Sequence, residues 1–338
     1  MPWPQFAHDA VATLAAVQPS QWCRAFFLGA AGGVAVVAAT PVEARTLLMD
    51  YGARKAHNNK QQQQQREGQH QQGQQQAGTP APQISPSRDR LLSLVAAVSS
   101  WGQIPHSWFV AFYMASLGCS LLWLVQYLAQ GRLLDHIAAR QVAAESGPPV
   151  ALGQVAVAWI IMFLQASRRV FEHATIIKPS KSTIWFVHWV LGLCFYLCIS
   201  VSIWVDGSKS ILDRRPGDIA NTASLFKILV ATPISLFAWV NQYKCHKYLA
   251  GLKKYSLPDE GLFRHLICPH YTCECLVYLS LAVVTAPPGQ LCNKTLLCAL
   301  LFVAINLGAT ASGTHKWYGE KFGAGAVAGK WNMIPFLF

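Results

Sequence analysis

The chain has 338 residues, 53% of them hydrophobic and 12% charged, with a formal net charge of +12. Water-soluble domains carry about 25% charged residues, so this composition points to a membrane protein. The basic residues are spread between apolar runs and form no single patch. That argues against a nucleic-acid binder and for loops lying on an anionic leaflet or around a phosphorylated cofactor.

In chain order, the first apolar run is 25–41, which follows a polar stretch with a single Arg24. It continues into Glu43-Ala44-Arg45 rather than a cleavage site, so it reads as a span and not as a removed leader. A span needs about 17–25 mostly apolar residues. Further candidates follow at 108–128, 150–166, 183–204, 225–241, 271–287 and 296–312, which makes seven in all. The fifth contains Pro233 and the sixth ends in Pro287-Pro288, which softens their limits. The expected fold is all-α, a polytopic seven-helix membrane bundle.

Between the first and second candidates, 58–87 is low in complexity, with Gln61–Gln65 and further Gln, Gly and Pro. Such a segment buries too little apolar surface to fold. The organisation is therefore an N-terminal segment 1–57, a Gln-rich cytosolic insertion 58–88 and a membrane-embedded domain 89–338. Most of the 27 Lys and Arg fall on one side of the predicted spans. The positive-inside rule makes that side cytosolic, with the C-terminus on it and the N-terminus in the lumen. The N-glycosylation pattern Asn293-Lys294-Thr295 falls on the lumenal side, in a loop too short to favour modification. The ten cysteines are scattered. Cys194 and Cys198, one helical turn apart in an apolar run, read as small buried residues and not as a disulfide framework.

Charges at the edge of a membrane are costly and mark function. They gather in Gln165-Ala166-Ser167-Arg168-Arg169-Val170-Phe171-Glu172, in Asn241-Gln242-Tyr243-Lys244-Cys245-His246 with Lys253-Lys254, and in His315-Lys316-Trp317-Tyr318. Glu274 joins them at the start of the sixth span. All fall on the predicted cytosolic side, as a polyanion bound at the mouth of a helical bundle requires. Any one cluster alone reads first as a basic membrane anchor; it is their convergence on one face that points to a site.

Two other patterns carry less. Gly323 to Gly329 resembles a dinucleotide loop but lacks the strand–loop–helix context that such a loop needs. His265, Cys268, His270, Cys273 and Cys275 lack paired metal-ligand spacing, so no metal site is expected.

At these clusters the chain resembles the steroid 5-alpha-reductase family. The motifs are Arg168-Arg169-x-Phe171-Glu172, Gln242-Tyr243-Lys244-Cys245-His246, His315-x-Trp317-Tyr318 and the terminal Ile334-Pro335-Phe336-Leu337-Phe338. The Gln-Tyr-Lys-Cys-His string is similar to the polyprenol-reductase branch in particular. So is Tyr51-Gly52 followed by Ile104-Pro105-x-x-Trp108-Phe109-x-x-Phe112-Tyr113. The resemblance spans 49–338 apart from the Gln-rich insertion.

It implies NADPH entering from the cytosol, a long-chain polyisoprenoid lipid entering from the bilayer, and residence in the endoplasmic reticulum. By matching positions, Arg169, Gln242, Lys244, His246, Lys253, Glu274, His315 and Tyr318 serve the cofactor pocket. Steroid-reducing members have a Tyr where this chain has Ala166, and a Gln-Glu pair that is missing here; the family's usual Asn is His270.

The implied reaction reduces the double bond of the alpha isoprene unit, in the service of dolichol synthesis and N-glycosylation. Hydride adds to an alkene only where an electron sink exists. An allylic aldehyde has one and an allylic alcohol does not, which favours polyprenal over polyprenol. A donor to the enolate oxygen, worth about 3–4 kcal/mol in comparable sites, is sought first in His315 and then in Tyr318 or Tyr113. The alternatives are a related steroid or enoyl-CoA reductase, and a non-enzymatic scaffold or transporter.

Overall fold

A computed structural model describes residues 17–40, 45, 90, 93, 96–143, 147–178, 182–214, 222–253 and 256–338. The Gln-rich insertion 58–88 lies outside the described residues, as does most of the 1–57 segment. The long helices are α1 (Pro19–Ala39), α2 (Val110–Leu128), α4 (Leu152–Thr175), α5 (Phe186–Ser202), α7 (Thr222–Gly251), α8 (Pro269–Val284) and α9 (Lys294–Phe322). Two shorter ones, α3 (Arg132–Val142) and α6 (Ser208–Asp213), pack on each other.

The fold is mainly helical, and each of the seven apolar stretches lies on one of the long helices. Among the described residues, five helical segments are long and apolar enough to cross a membrane: Pro19–Ala39, His106–Leu128, Phe186–Asp213, Ser224–Gly251 and Lys294–Phe322. The other two fall short for opposite reasons. Helix α4 has the length but carries Arg168, Arg169, Glu172 and His173 in its last turns, and α8 has only 16 residues. Helix α7 runs through Pro233 without ending.

The surface bears out a membrane environment in physical terms. Val125, Leu128, Phe226, Leu229, Leu236 and Phe237 are all more than half exposed on helices that face outward. In water such a belt is an aggregation liability; in lipid it is the expected exterior, because the backbone bonds of each helix are satisfied internally.

The core forms where α1, α4, α5, α8 and α9 meet. Phe27, Met162, Ile199, Tyr278, Leu281 and Leu296 are buried there. Phe195 is the hub, with ring centroids 5.8 Å from Phe27, 5.8 Å from Tyr278, 5.4 Å from Tyr196 and 5.4 Å from Phe302. Edge-on contacts at such spacing hold rings in defined orientations.

Not everything is helical. Residues Gln103–Pro105 (β1) and Thr183–Trp185 (β2) pair antiparallel, with Ile104 opposite Ile184. This ribbon departs from the all-α expectation. Its β-branched and aromatic residues sit where the chain enters α2 and α5, so pairing satisfies backbone groups that neither helix can cap. Gly102 makes the turn before it at φ +73°, and a Cβ there would lie 2.5 Å from the Phe186 ring.

The two ends of the bundle differ. At one end, where α1, α4, α7 and α9 start, polar groups serve structure. Asn293 is 1% exposed and caps α9 by accepting from the Thr295 and Leu296 backbone N–H groups at 2.8 and 3.1 Å. Its amide donates to Asp206 at 2.8 Å, and Arg24 donates to Thr295 Oγ1 at 2.9 Å. The glycosylation pattern thus lies in a buried cap rather than an open loop. At the same end Gln154 donates to Val284 O at 2.6 Å and Lys227 to the carbonyls of Ala286 and Pro287 at 2.7 Å. All ten cysteines carry free thiols.

Candidate functional site

The other end, where α4, α7 and α9 finish, holds a buried polar network. Gln165, Arg168, Arg169 and Glu172 share one face of α4 because positions three and four apart align on a helix. The same spacing joins Gln242 to His246 on α7, and Glu274 to Tyr278 on α8.

Glu172 is fully buried and is the anion around which the cations gather. Arg168 Nη1 lies 3.2 Å from its Oε1, while Arg169 and His246 Nδ1 meet its Oε2, the latter at 2.8 Å. Arg169 Nη1 is also 2.7 Å from His246 Nδ1. One ring nitrogen cannot donate and accept at once. The arrangement is consistent if Nδ1–H donates to Glu172 and Arg169 directs its protons to Glu172 and Tyr113. Arg169 Nη2 donates to Tyr113 Oη at 2.6 Å, and its guanidinium carbon lies 4.7 Å from the Tyr113 ring centre.

A second anion, Glu274, is bound by amides instead of cations. Gln165 donates to it at 3.1 Å and Gln242 donates to it as well. Gln242 also donates to the His270 carbonyl at 3.2 Å and accepts from Gln165 at 2.8 Å and from Arg168. Arg168 adds bonds to Gln165 Oε1 at 2.7 Å and Trp239 O at 2.8 Å. Two arginines against two glutamates leave this network without net charge. Each unpaired charge here would face a desolvation cost of several kcal/mol, which is why the polar side chains are so heavily cross-bonded.

Beside the network lies a cavity with about 220 Å³ of open space, lined by Tyr113, Ser116, Met162, Gln165, Ala166, Arg169, Tyr196, Glu274 and Tyr278. Its walls come from α2, α4, α5 and α8. It joins the polar network to the apolar interior of the bundle.

Of the residues singled out from sequence, Tyr113, Arg169, Gln242, His246 and Glu274 come together here. The others do not. Lys244 is exposed, two residues from Gln242 and therefore about 200° around the helix. Lys253 is exposed beyond the end of α7. His315 and Tyr318 belong to a separate cluster under the C-terminal strap. His315 Nδ1 is 2.7 Å from Asn332 Oδ1. Asn332 O accepts from Cys268 N at 2.9 Å, and Trp331 N donates to His265 O at 2.9 Å. Tyr318 packs on the core of Ile267, Cys268, Val327 and Met333. Neither residue lines the cavity.

Sequence reasoning placed Gln165 and Arg168 in a polar cluster without an individual role, and gave none to Tyr196 or Tyr278. Tyr278 had a signal, since it falls one turn after Glu274. Tyr196 had none, because nothing in a uniformly apolar segment tells which face meets the cavity.

Comparison with known proteins gives this geometry its context. Residues 211–338 match the family described as 3-oxo-5-alpha-steroid 4-dehydrogenase. The chain is 30% identical over 262 residues to the polyprenal reductase of Xenopus tropicalis, covering 70% of this chain and 81% of that protein. It is 29% identical over 182 residues to the polyprenal reductase of Saccharomyces cerevisiae, covering 54% and 64%. The human polyprenal reductase is 27% identical over 262 residues, covering 70% and 78%.

Proposed function

This chain belongs to the steroid 5-alpha-reductase family, on its polyprenal reductase branch, and we propose that it reduces the alpha-isoprene double bond of polyprenal with NADPH, in the endoplasmic reticulum membrane, as a step of dolichol synthesis. Family membership makes it an oxidoreductase acting on C=C bonds, which removes the scaffold and transporter alternatives. We read α4 and α8 as completing a seven-span bundle, with the C-terminus in the cytosol.

One observation carries the substrate reading: a largely apolar cavity edged by Gln165, Arg169 and Glu274, inside a bundle whose exterior is apolar. That suits a polar head whose long chain stays in lipid.

The residues also fit a nicotinamide cofactor. Its carboxamide needs a donor and an acceptor, and the Gln165–Gln242–Glu274 set offers both. The buried His270 Nδ1 and Arg168 Nε have no hydrogen-bond partner among the described residues, as groups awaiting a ligand do. The buried network is charge-balanced, so phosphates fall to cations nearer solvent. Lys253 and Arg264 belong to the connection from α7 to α8, Lys330 donates to Pro258 O in that connection at 3.2 Å, and none of the three is ion-paired among the described residues. When bound, the cofactor supplies a hydride. The chain's own residues orient the reacting groups.

The test is direct. Membranes carrying the chain are incubated with NADPH and either polyprenal or polyprenol, and products are separated by mass. Polyprenal gains two mass units and polyprenol does not. Turnover of a sterol enone with polyprenal untouched would overturn the proposal.

A further inference from the structure

Reduction of an enal places negative charge on its carbonyl oxygen, so some group must donate there. Tyr113 accepts from Arg169 at 2.6 Å and keeps its O–H to donate, while His315 pairs with Asn332 and does not line the cavity. Two other phenols line the cavity. Tyr278 is 2% exposed, and neither it nor Tyr196 makes a hydrogen bond among the described residues. Neither hydroxyl is among the buried polar atoms without a partner, so each keeps accessible surface and a proton that a ligand oxygen can accept.

Both rings are held in place by the same buttress. Phe195 contacts Tyr196 at 5.4 Å and Tyr278 at 5.8 Å, and Phe112 stacks on Tyr196 at 6.1 Å. The two phenols thus come from α5 and α8 against one shared aromatic residue. Donors fixed before the reaction need no reorganisation when charge develops, which is where such a site gains its effect.

We propose that Tyr196 and Tyr278 are catalytic residues that together bind the aldehyde oxygen of the lipid substrate. The inference rests on the polyprenal reading above. As hydride from the reduced nicotinamide bonds to C3, the C2=C3 electron pair shifts to C1–C2 and the carbonyl pair shifts to oxygen. The two phenols hold that enolate oxygen by hydrogen bonds and keep their own protons. A proton from solvent then bonds to C2 and the carbonyl re-forms. One hydride and one proton are consumed, the nicotinamide is oxidised and the alkene is reduced.

The test uses the full chain in detergent or liposomes, with Tyr278→Phe and Tyr196→Phe, which keep both rings. Each variant should lower kcat about 100-fold, the scale seen for loss of one such donor, with KM moving far less. An independent readout needs no turnover: the infrared carbonyl band of a short polyprenal labelled with ¹³C at C1. On binding to the wild type the band should move to lower wavenumber, and each Phe variant should lose part of that shift. Variants within threefold of wild-type kcat and with an unchanged band would overturn the proposal while leaving the polyprenal reading intact. A wild type that leaves polyprenal untouched would overturn both.

Discussion

Replacing Glu172 by Gln keeps shape and one acceptor oxygen but removes the anion that three side chains share. Glu172 is 0% exposed, Arg168 and Arg169 are 4% and 16% exposed, and His246 is 15% exposed. The network goes from neutral to one excess buried positive charge. Removing one partner of a buried ion pair costs about 3–5 kcal/mol. Gln can still accept one of the bonds, so the lower end applies, about 3 kcal/mol. Stability changes move a melting midpoint by about 2–4 °C per kcal/mol in chains of 150–250 residues. This longer chain belongs at the small end, which gives a drop of about 6 °C. The assay is thermal unfolding of the detergent-solubilised protein, followed by tryptophan fluorescence. A double-mutant cycle with Arg169→Gln should show coupling, because the second change removes the charge that the first left stranded. A Glu172→Gln midpoint within 1 °C of wild type would refute the view that Glu172 holds this end of the bundle together.

Other expectations follow from single contacts. Asn293 should remain unglycosylated on expression in cells, seen as no mobility change after endoglycosidase, since its side chain caps α9 inside the bundle. Asn293→Ala should cost about 1 kcal/mol for the cap alone and more for the lost bond to Asp206, which keeps Thr295 and Arg24 as partners. Gly102→Ala should destabilise by about 1–3 kcal/mol, read from the same melts, because the position needs a positive φ and the new methyl meets Phe186. His315→Ala should release the C-terminal strap, seen as faster hydrogen exchange over 331–333 and faster carboxypeptidase trimming. Lost activity with strap protection unchanged would instead place His315 in the chemistry.

The spans were the legible part. Apolar runs of the right length can satisfy their backbone only as helices in lipid, so each candidate lies on a helix without any knowledge of packing. Spacing also brought part of the site within reach: Arg169, Gln242, His246 and Glu274 are polar groups at costly depths, and the network that binds them explains that cost. Packing decided the rest. Lys244 belongs to the same string as Gln242 and His246, yet a two-residue offset turns it to the outside. His315 and Tyr318 lie at the same end of the bundle as the network, but the C-terminal strap holds them in a cluster of their own, and its pairing with 265–268 left no trace in local pattern. Tyr196 and Tyr278 sit in apolar helices where a tyrosine looks like filler until it is found lining a cavity. The β ribbon was missed because three-residue strands fall below any periodic signal.

The central claim is that the carbon–carbon bond is reduced while the aldehyde serves as electron sink. It is tested most directly by following the label from NADPH deuterated at the transferring position, in buffer of ordinary water, with polyprenal as substrate. The account predicts a saturated aldehyde with deuterium at C3 and a solvent proton at C2. Deuterium at C1, in an allylic alcohol whose double bond survives, would contradict it.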